Sequence, residues 1–272
     1  MNRGTSKSPE KNGSISKKPW RSLKKERYEK HHFGEDYDRR YSSGLNELNT
    51  LVERRWIETH LTGGLILDAG AGTGRFAAAL RDAGRRMVAV DSSAPMLAFL
   101  REKTSGLPLI RSDIYSIPVA ENTFDAAICM HVLFHLPDWP EVLKELVRVV
   151  RPGGAVIFEM RSGDHVVLAE KVLKLLRLDP ARRESSDLSQ RTVYARRREV
   201  LRVMEDCGLQ LQSCLPYDIG HAYYLAPLAR MLDKLLAAAP FVRTTAARCE
   251  LLLGPLLPSA LTYRTLYLGR KL

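Results

Sequence analysis

Residues 65–76 read Leu65-Ile-Leu-Asp68-Ala-Gly70-Ala-Gly72-Thr-Gly74-Arg75-Phe76. Leu65–Ala69 is a short apolar run bounded by glycines, which predicts a buried strand. The three glycines predict a tight turn in which a ligand can approach the backbone with no Cβ in the way. A helix through Arg81 follows, so a strand–turn–helix unit opens the sheet.

The same rhythm continues outward from that unit. Strands are predicted at Met87–Val90, Leu109–Arg111, Phe124–Met130 and Ala155–Met160. Helices are predicted over about Ala94–Lys103 and Glu141–Val150, the second ended by the breaker Arg151-Pro152-Gly153-Gly154. Helices at Val166–Leu178 and Ala195–Cys207 precede strands at Leu209–Leu215 and Tyr263–Leu268. Alternating strands and helices predict an α/β fold, a doubly wound, mostly parallel sheet with right-handed crossovers. On the amino-terminal side, Leu45, Leu48, Leu51, Val52 and Trp56 recur at helical spacing within about Tyr28–His60. Between the last two strands, Asp218–Leu261 is rich in Leu and Ala and too long for a hairpin loop, which predicts a helical insertion.

The ligand of the glycine turn follows from charge and spacing. In open α/β sheets ligands bind at the carboxyl ends of the strands, and a helix amino terminus offers free N–H groups to an anion. A dinucleotide fingerprint needs G-x-G-x-x-G, but here the third glycine comes one residue early and Arg75 takes its place. Asp68, just before the glycines, would repel a pyrophosphate. It would attract an ammonium or a sulfonium, and S-adenosylmethionine carries both. Asp91, 17 residues past Gly74 at the end of the second strand, suits ribose hydroxyls. Asp113, after the third strand, suits the adenine amino group, with Ile114 beside the ring and Met96 and Leu97 against its face. The NAD reading is correspondingly weak.

The stretch from Leu65 to Met160 resembles the class I methyltransferases of the small-molecule type, which include quinone C-methylases. The resemblance rests on Leu67–Gly74, Val90-Asp-Ser-Ser-Ala-Pro-Met-Leu97, Asp113-Ile114, Phe124-Asp125, His131 to His135, and Leu146-Val-Arg-Val-Val-Arg-Pro-Gly-Gly154. It implies a seven-stranded Rossmann-like sheet with the last strand antiparallel. It implies S-adenosyl-L-methionine as cofactor, S-adenosyl-L-homocysteine as product, and no metal. The cofactor residues it implies are Asp68, Ala69, Gly70, Gly72 and Gly74 about the methionine part and Asp91 on the ribose. Ser92, Met96, Asp113 and Ile114 line the adenine, with Met130 beside them.

Methyl transfer from a sulfonium needs the nucleophile, the methyl group and the leaving sulfur in one line, and positioning supplies most of the acceleration. A base matters where the nucleophile must lose a proton. Cys129-Met-His131-Val-Leu-Phe-His135 follows the fourth strand, so His131 and then His135 are the candidate catalytic groups. Each also has a structural reading, as packing beneath the cofactor or bonding a loop. The Asn/Asp-Pro-Pro-aromatic tetrad of amine and amide methylases is missing here, and no acidic cluster suggests a metal-dependent enzyme. A small molecule is therefore the expected acceptor, with an apolar or lipid-like one suggested by Tyr223, Tyr224 and Phe241 in the insertion. Tyr28, Tyr37, Tyr41 and Trp56 are candidates for a lid.

The formal charge is +11, of which residues 1–30 hold ten Lys/Arg and three Glu, or +7. A basic, disordered tail over 1–25, a helical lid over 26–62 and a catalytic domain over 63–272, with its insertion at 218–261, is the expected organisation. The tail could serve an RNA methyltransferase, contact a membrane surface or act only as a solubilising arm. A non-catalytic binder of the cofactor is a further alternative. Four cysteines without paired spacing, and no secretory or spanning segment, predict reduced thiols and a cytoplasmic protein.

Overall fold

The computed structural model describes residues 37–39, 41, 43–61, 63–175, 192–219 and 226–272. The basic tail, Tyr28, Tyr223 and Tyr224 lie outside the described residues.

Seven strands form one sheet: β1 Leu65–Ala69, β2 Arg86–Asp91, β3 Leu109–Arg111, β4 Phe124–Cys129, β5 Val150–Arg161, β6 Leu209–Tyr217 and β7 Arg264–Lys271. Their order is β3-β2-β1-β4-β5-β7-β6, and β7 alone runs antiparallel to its neighbours. The sheet therefore has the expected doubly wound topology. Strand order reverses between β1 and β4, where a ligand crevice opens at the carboxyl ends.

Helices cover both faces. On one side lie α1 (Gly44–His60), α2 (Arg75–Asp82) and α3 (Ala94–Lys103). On the other, α4 (Trp139–Val149) and α6 (Arg197–Asp206) bury Trp139, Leu143, Leu146 and Val200 against Phe124, Val156 and Phe158. The helix α5 (Gly163–Leu175) follows β5. The stretch between β6 and β7 holds α7 (Ala226–Ala238) and α8 (Pro240–Leu253), which pack on α1 rather than on the sheet alone.

Two details differ from the sequence reading. The helix expected from about Tyr28 is interrupted: residues 37–39 are helical, a turn follows at Tyr41, and α1 starts at Gly44, where Ser43 accepts from the Asn46 N–H at 3.4 Å and caps it. Strand β5 begins at Val150, ahead of Pro152-Gly153-Gly154 rather than after it. Its register with β4 shifts between Phe124 and Ala126, and Gly153 is left-handed at φ 74°, so the glycine pair is absorbed as a bulge.

Candidate active site

The glycine turn lies at the carboxyl end of β1. Gly70, Gly72 and Gly74 all have left-handed φ, between 54° and 78°. A Cβ on Gly70 would strike Val132, and one on Gly74 would strike Leu100, so these two let neighbouring side chains pack close. A Cβ on Gly72 would meet nothing within 4 Å. Gly72 thus faces open space, where a ligand has room beside bare backbone.

The three acidic residues each bond to backbone. Asp91, ending β2, accepts from the Gly72 N–H and from the Ser93 N–H, both at 2.8 Å. It locks the glycine turn to the next strand, while its carboxylate keeps lone pairs for further donors. Ser93 caps α3 by accepting from Met96 N–H at 3.3 Å, which leaves half-buried Ser92 on the turn and buries Met96 and Leu97. Asp113 is exposed, and its Oδ1 accepts from the Tyr115 N–H at 3.1 Å; half-buried Ile114 lies between them. Asp68 is buried, and its Oδ2 accepts from the Ala77 N–H at 3.0 Å, near the start of α2. Burial pushes its carboxyl up to about 7, against the pull of the Ala77 N–H. Asp68 is therefore an organiser of the turn as well as a candidate ligand group. Ala69 and Met130 are buried beside it.

A second group of residues surrounds His131. This histidine adopts a left-handed φ of 60°, uncommon for a residue with a Cβ, which marks the turn after β4 as constrained. It is buried, and its Nε2 lies 2.9 Å from Glu53 Oε1 on α1. Glu53 also accepts from the Tyr217 hydroxyl at 2.5 Å and from Arg264 Nη1 at 3.5 Å. Arg161, Arg264 and Tyr217 are register partners across β5, β7 and β6, so their side chains share the α1 face at the carboxyl rim. Glu159, two residues before Arg161 on the same face, lies 3.9 Å from His131 Nδ1. Arg264 also meets Asp218 at 2.7 Å.

Burial sets the electrostatics of this cluster. It lowers the His131 pKa well below the ordinary range, and Arg75 adds to that, so the imidazole is neutral at pH 7. It raises the Glu53 pKa, against the attraction of Arg75 and Arg264. It also opposes the charge of Arg264, but Asp218, Glu159 and Glu53 outweigh it and hold the guanidinium protonated. Several buried polar atoms make no hydrogen bond within the protein: both oxygens of Glu159, Nδ1 of His131, Nη1 of Arg161 and the side-chain amide of Asn49. Such atoms are costly unless a polar molecule meets them.

The amino-terminal segment straps the two groups together. Asp38 accepts from the Thr73 hydroxyl in the glycine turn at 2.5 Å and pairs with Lys103 at 2.9 Å. The Tyr41 ring lies under the Arg75 guanidinium at 3.8 Å and edge-on to His131 at 5.7 Å. Trp56, by contrast, is core, with His60 against it. Phe241 points outward from the insertion and does not line the site. His135 is half-buried on a 3-10 turn against Phe134, one turn away from the cluster.

Residues 67–158 match the family model described as a methyltransferase domain. That stretch, about a third of the chain, is similar to S-adenosylmethionine-dependent methyltransferases of the class I type. It is 39% identical to a malonyl-[acyl-carrier protein] O-methyltransferase of Pectobacterium atrosepticum over 34% of this chain and 37% of that protein. It is 33% identical to a ubiquinone biosynthesis O-methyltransferase of Thiobacillus denitrificans over 48% of this chain and 62% of that one. The matches thus span between about a third and three fifths of these relatives' lengths. In fold, a magnesium protoporphyrin IX methyltransferase from Synechocystis with bound S-adenosylhomocysteine is similar at a TM-score of 0.60, with 15% identity, over 93% of this chain and all of that one.

Glu53, Glu159, Arg161, Tyr217 and Arg264 were not among the site residues that the sequence suggested. For Glu159 and Glu53 the signal was a charge set into an otherwise buried apolar pattern. Glu159 interrupts the run Val156-Ile157-Phe158, and Glu53 follows Val52 on the buried stripe of α1.

Proposed function

We propose that this methyltransferase transfers the methyl group of S-adenosylmethionine to a small acceptor with an acidic hydroxyl. The observation that carries the reading is the pair of facing features at one rim: an open glycine turn bonded to Asp91, and the buried His131–Glu53 pair beyond β4. The turn fits this cofactor. Gly72 leaves room, Asp91 can take the ribose hydroxyls, Asp113 and Ile114 can take the adenine, and Asp68 can take the ammonium. When bound, the cofactor supplies a methyl group on a sulfonium, ready for in-line displacement.

The protein's own groups handle alignment and the proton. Glu53 already accepts from Tyr217 and Arg264, so it acts as an acceptor toward His131 as well. That assigns the hydrogen to Nε2 and leaves a lone pair on Nδ1. Nδ1 is the atom to take the acceptor's proton, and Glu159 nearby would stabilise the resulting imidazolium. An imidazole so strongly depressed is a weak base, which suits an acceptor that parts readily with its proton, such as a phenol or a carboxylic acid. The names of the O-methyltransferase relatives agree with that choice. A weak base would serve poorly for an aliphatic alcohol.

The test has two steps. Calorimetry with S-adenosylhomocysteine and with NAD should show binding of the first alone. A labelled-cofactor assay against a panel of phenols and carboxylic acids should then give an O-methylated product by mass spectrometry, and His131→Gln should lower turnover about 100-fold or more without weakening S-adenosylhomocysteine. Tight NAD binding, or products methylated only on carbon or nitrogen, would overturn the reading.

A further inference from the structure

Among the described residues no helix is long and apolar enough to cross a membrane. The insertion nevertheless has an unusual outer surface. On α8 and the 3-10 turn after it, Phe241, Arg248, Leu252 and Leu256 follow one another at steps of seven, four and four, which places them along one side of the helix. Phe241 is 82% exposed, Leu252 75% and Leu256 79%. The opposite side of α8 buries Ala247 and Glu250. Its neighbour α7 repeats the pattern: Leu236 is buried while Met231, Lys234 and Leu235 are exposed. Both helices pack inward on α1, so their apolar sides face away from the molecule.

The charges on this surface have one sign. Lys234 and Arg248 are exposed, whereas the described acids of the two helices are occupied inward: Asp233 accepts from the Leu45 N–H, and Glu250 accepts from the Asp218 N–H. Residues 1–30, with a net charge of +7, join the described chain at Tyr37, seven residues before Gly44. Gly44 lies against the Asp233 and Leu236 backbone of α7. Apolar side chains interleaved with cations and free of exposed acid are what an anionic lipid surface selects in a helix lying along it.

We infer that the outer face of α7 and α8 docks on anionic lipid bilayers, with Phe241, Leu252 and Leu256 entering the headgroup boundary and Lys234 and Arg248 meeting lipid phosphates. The inference does not rest on methyl transfer and stands or falls separately from it. A single shallow face gives reversible binding, so the protein would exchange between surface and solution.

Flotation of the full-length protein with vesicles of phosphatidylcholine alone, or with a third phosphatidylglycerol, tests it. Binding is expected to the anionic vesicles and to be at least about tenfold weaker to the neutral ones. The variant F241S/L252S/L256S, altered only at exposed positions, should keep its melting temperature and S-adenosylhomocysteine affinity yet lose about tenfold or more in partition. No binding to anionic vesicles at low salt would overturn the inference. So would a triple variant that binds as well as the parent, since the basic stretch alone would then explain the attraction. A parent that is dimeric by light scattering, with a monomeric triple variant, would also overturn it, because the face would then belong to a second copy.

Discussion

The rim of the sheet is built by two different means at its two ends. At β1–β3, carboxylates bond to backbone N–H groups a short way along the chain, as Asp91 does to Gly72 and Ser93. At β5–β7, side chains bond to side chains from distant elements, as Glu53 does to His131 and to Tyr217, 78 and 164 residues away. The first kind needs only a local motif and a strand order. The second exists only when α1, β6 and β7 have all assembled. The cofactor end should therefore tolerate damage to the acceptor end, while the acceptor end depends on every element it joins.

The largest expected effect breaks the acceptor end. Glu53→Ala leaves Tyr217 and His131 without their buried acceptor and Arg264 with one counter-charge fewer. Removing one partner of a buried pair costs about 3–5 kcal/mol. Urea unfolding should read that loss, while S-adenosylhomocysteine should bind the folded variant within about threefold of the parent. A matching fall in cofactor affinity would show that the two ends are one unit and defeat the comparison.

The next effect belongs to the cofactor end. Asp91→Ala removes a charged acceptor that serves both the glycine turn and the expected ribose. Hydrogen bonds to charged groups contribute about 1.5–3 kcal/mol each, so S-adenosylhomocysteine should weaken by about 10- to 100-fold. Calorimetry at one pH is enough to read this. Unchanged affinity would remove Asp91 from the site.

The difference between the two ends also explains what could be read from the sequence. The glycine turn, Asp68, Asp91 and Asp113 stand out because each follows a short apolar run, so strand position and side-chain chemistry are visible together. Even there the sequence does not reveal that Asp68 turns toward Ala77. Glu53, Arg161 and Arg264 are invisible as a group because their meeting depends on the register Arg161↔Arg264↔Tyr217 and on the docking of α1 over it. The sequence shows each only as a single charge, with nothing to link the three. His131 was legible as a position but not as a partner of α1. The insertion was legible as helical, but its apolar residues were expected to meet an acceptor, and Phe241 faces outward instead.

A smaller effect sharpens the role of Asp68. Burial holds its carboxyl at about 7 in the free protein. A ligand ammonium favours the ionised form, so binding below pH 7 must release the proton. Affinity for S-adenosylhomocysteine should then rise as pH climbs through about 7 and level off above it. One proton released across pH 6 to 8 amounts to about tenfold. Asp68→Asn should give a flat profile over that range. A parent profile that is already flat would leave Asp68 as an organiser of α2 alone.

The smallest effect concerns the strap that joins the two ends. Asp38 holds Thr73 on the cofactor side, and Tyr41, three residues on, lies between Arg75 and His131 on the acceptor side. Asp38 is partly exposed, and its pair with Lys103 is screened by water, so that ion pair adds little. The hydrogen bond to Thr73 is the stronger tie, and Asp38→Asn keeps its shape while removing the charge. The expected loss is about 0.5–1 kcal/mol, read as a two- to fivefold faster release of S-adenosylhomocysteine with little change in melting temperature. The segment reaches both the glycine turn and the His131 cluster, so the change should appear in the release rate more than in the rate of association. A slower association with unchanged release would mean that Asp38 shapes the open site rather than holding it closed. The two ends would then be joined by α1 alone.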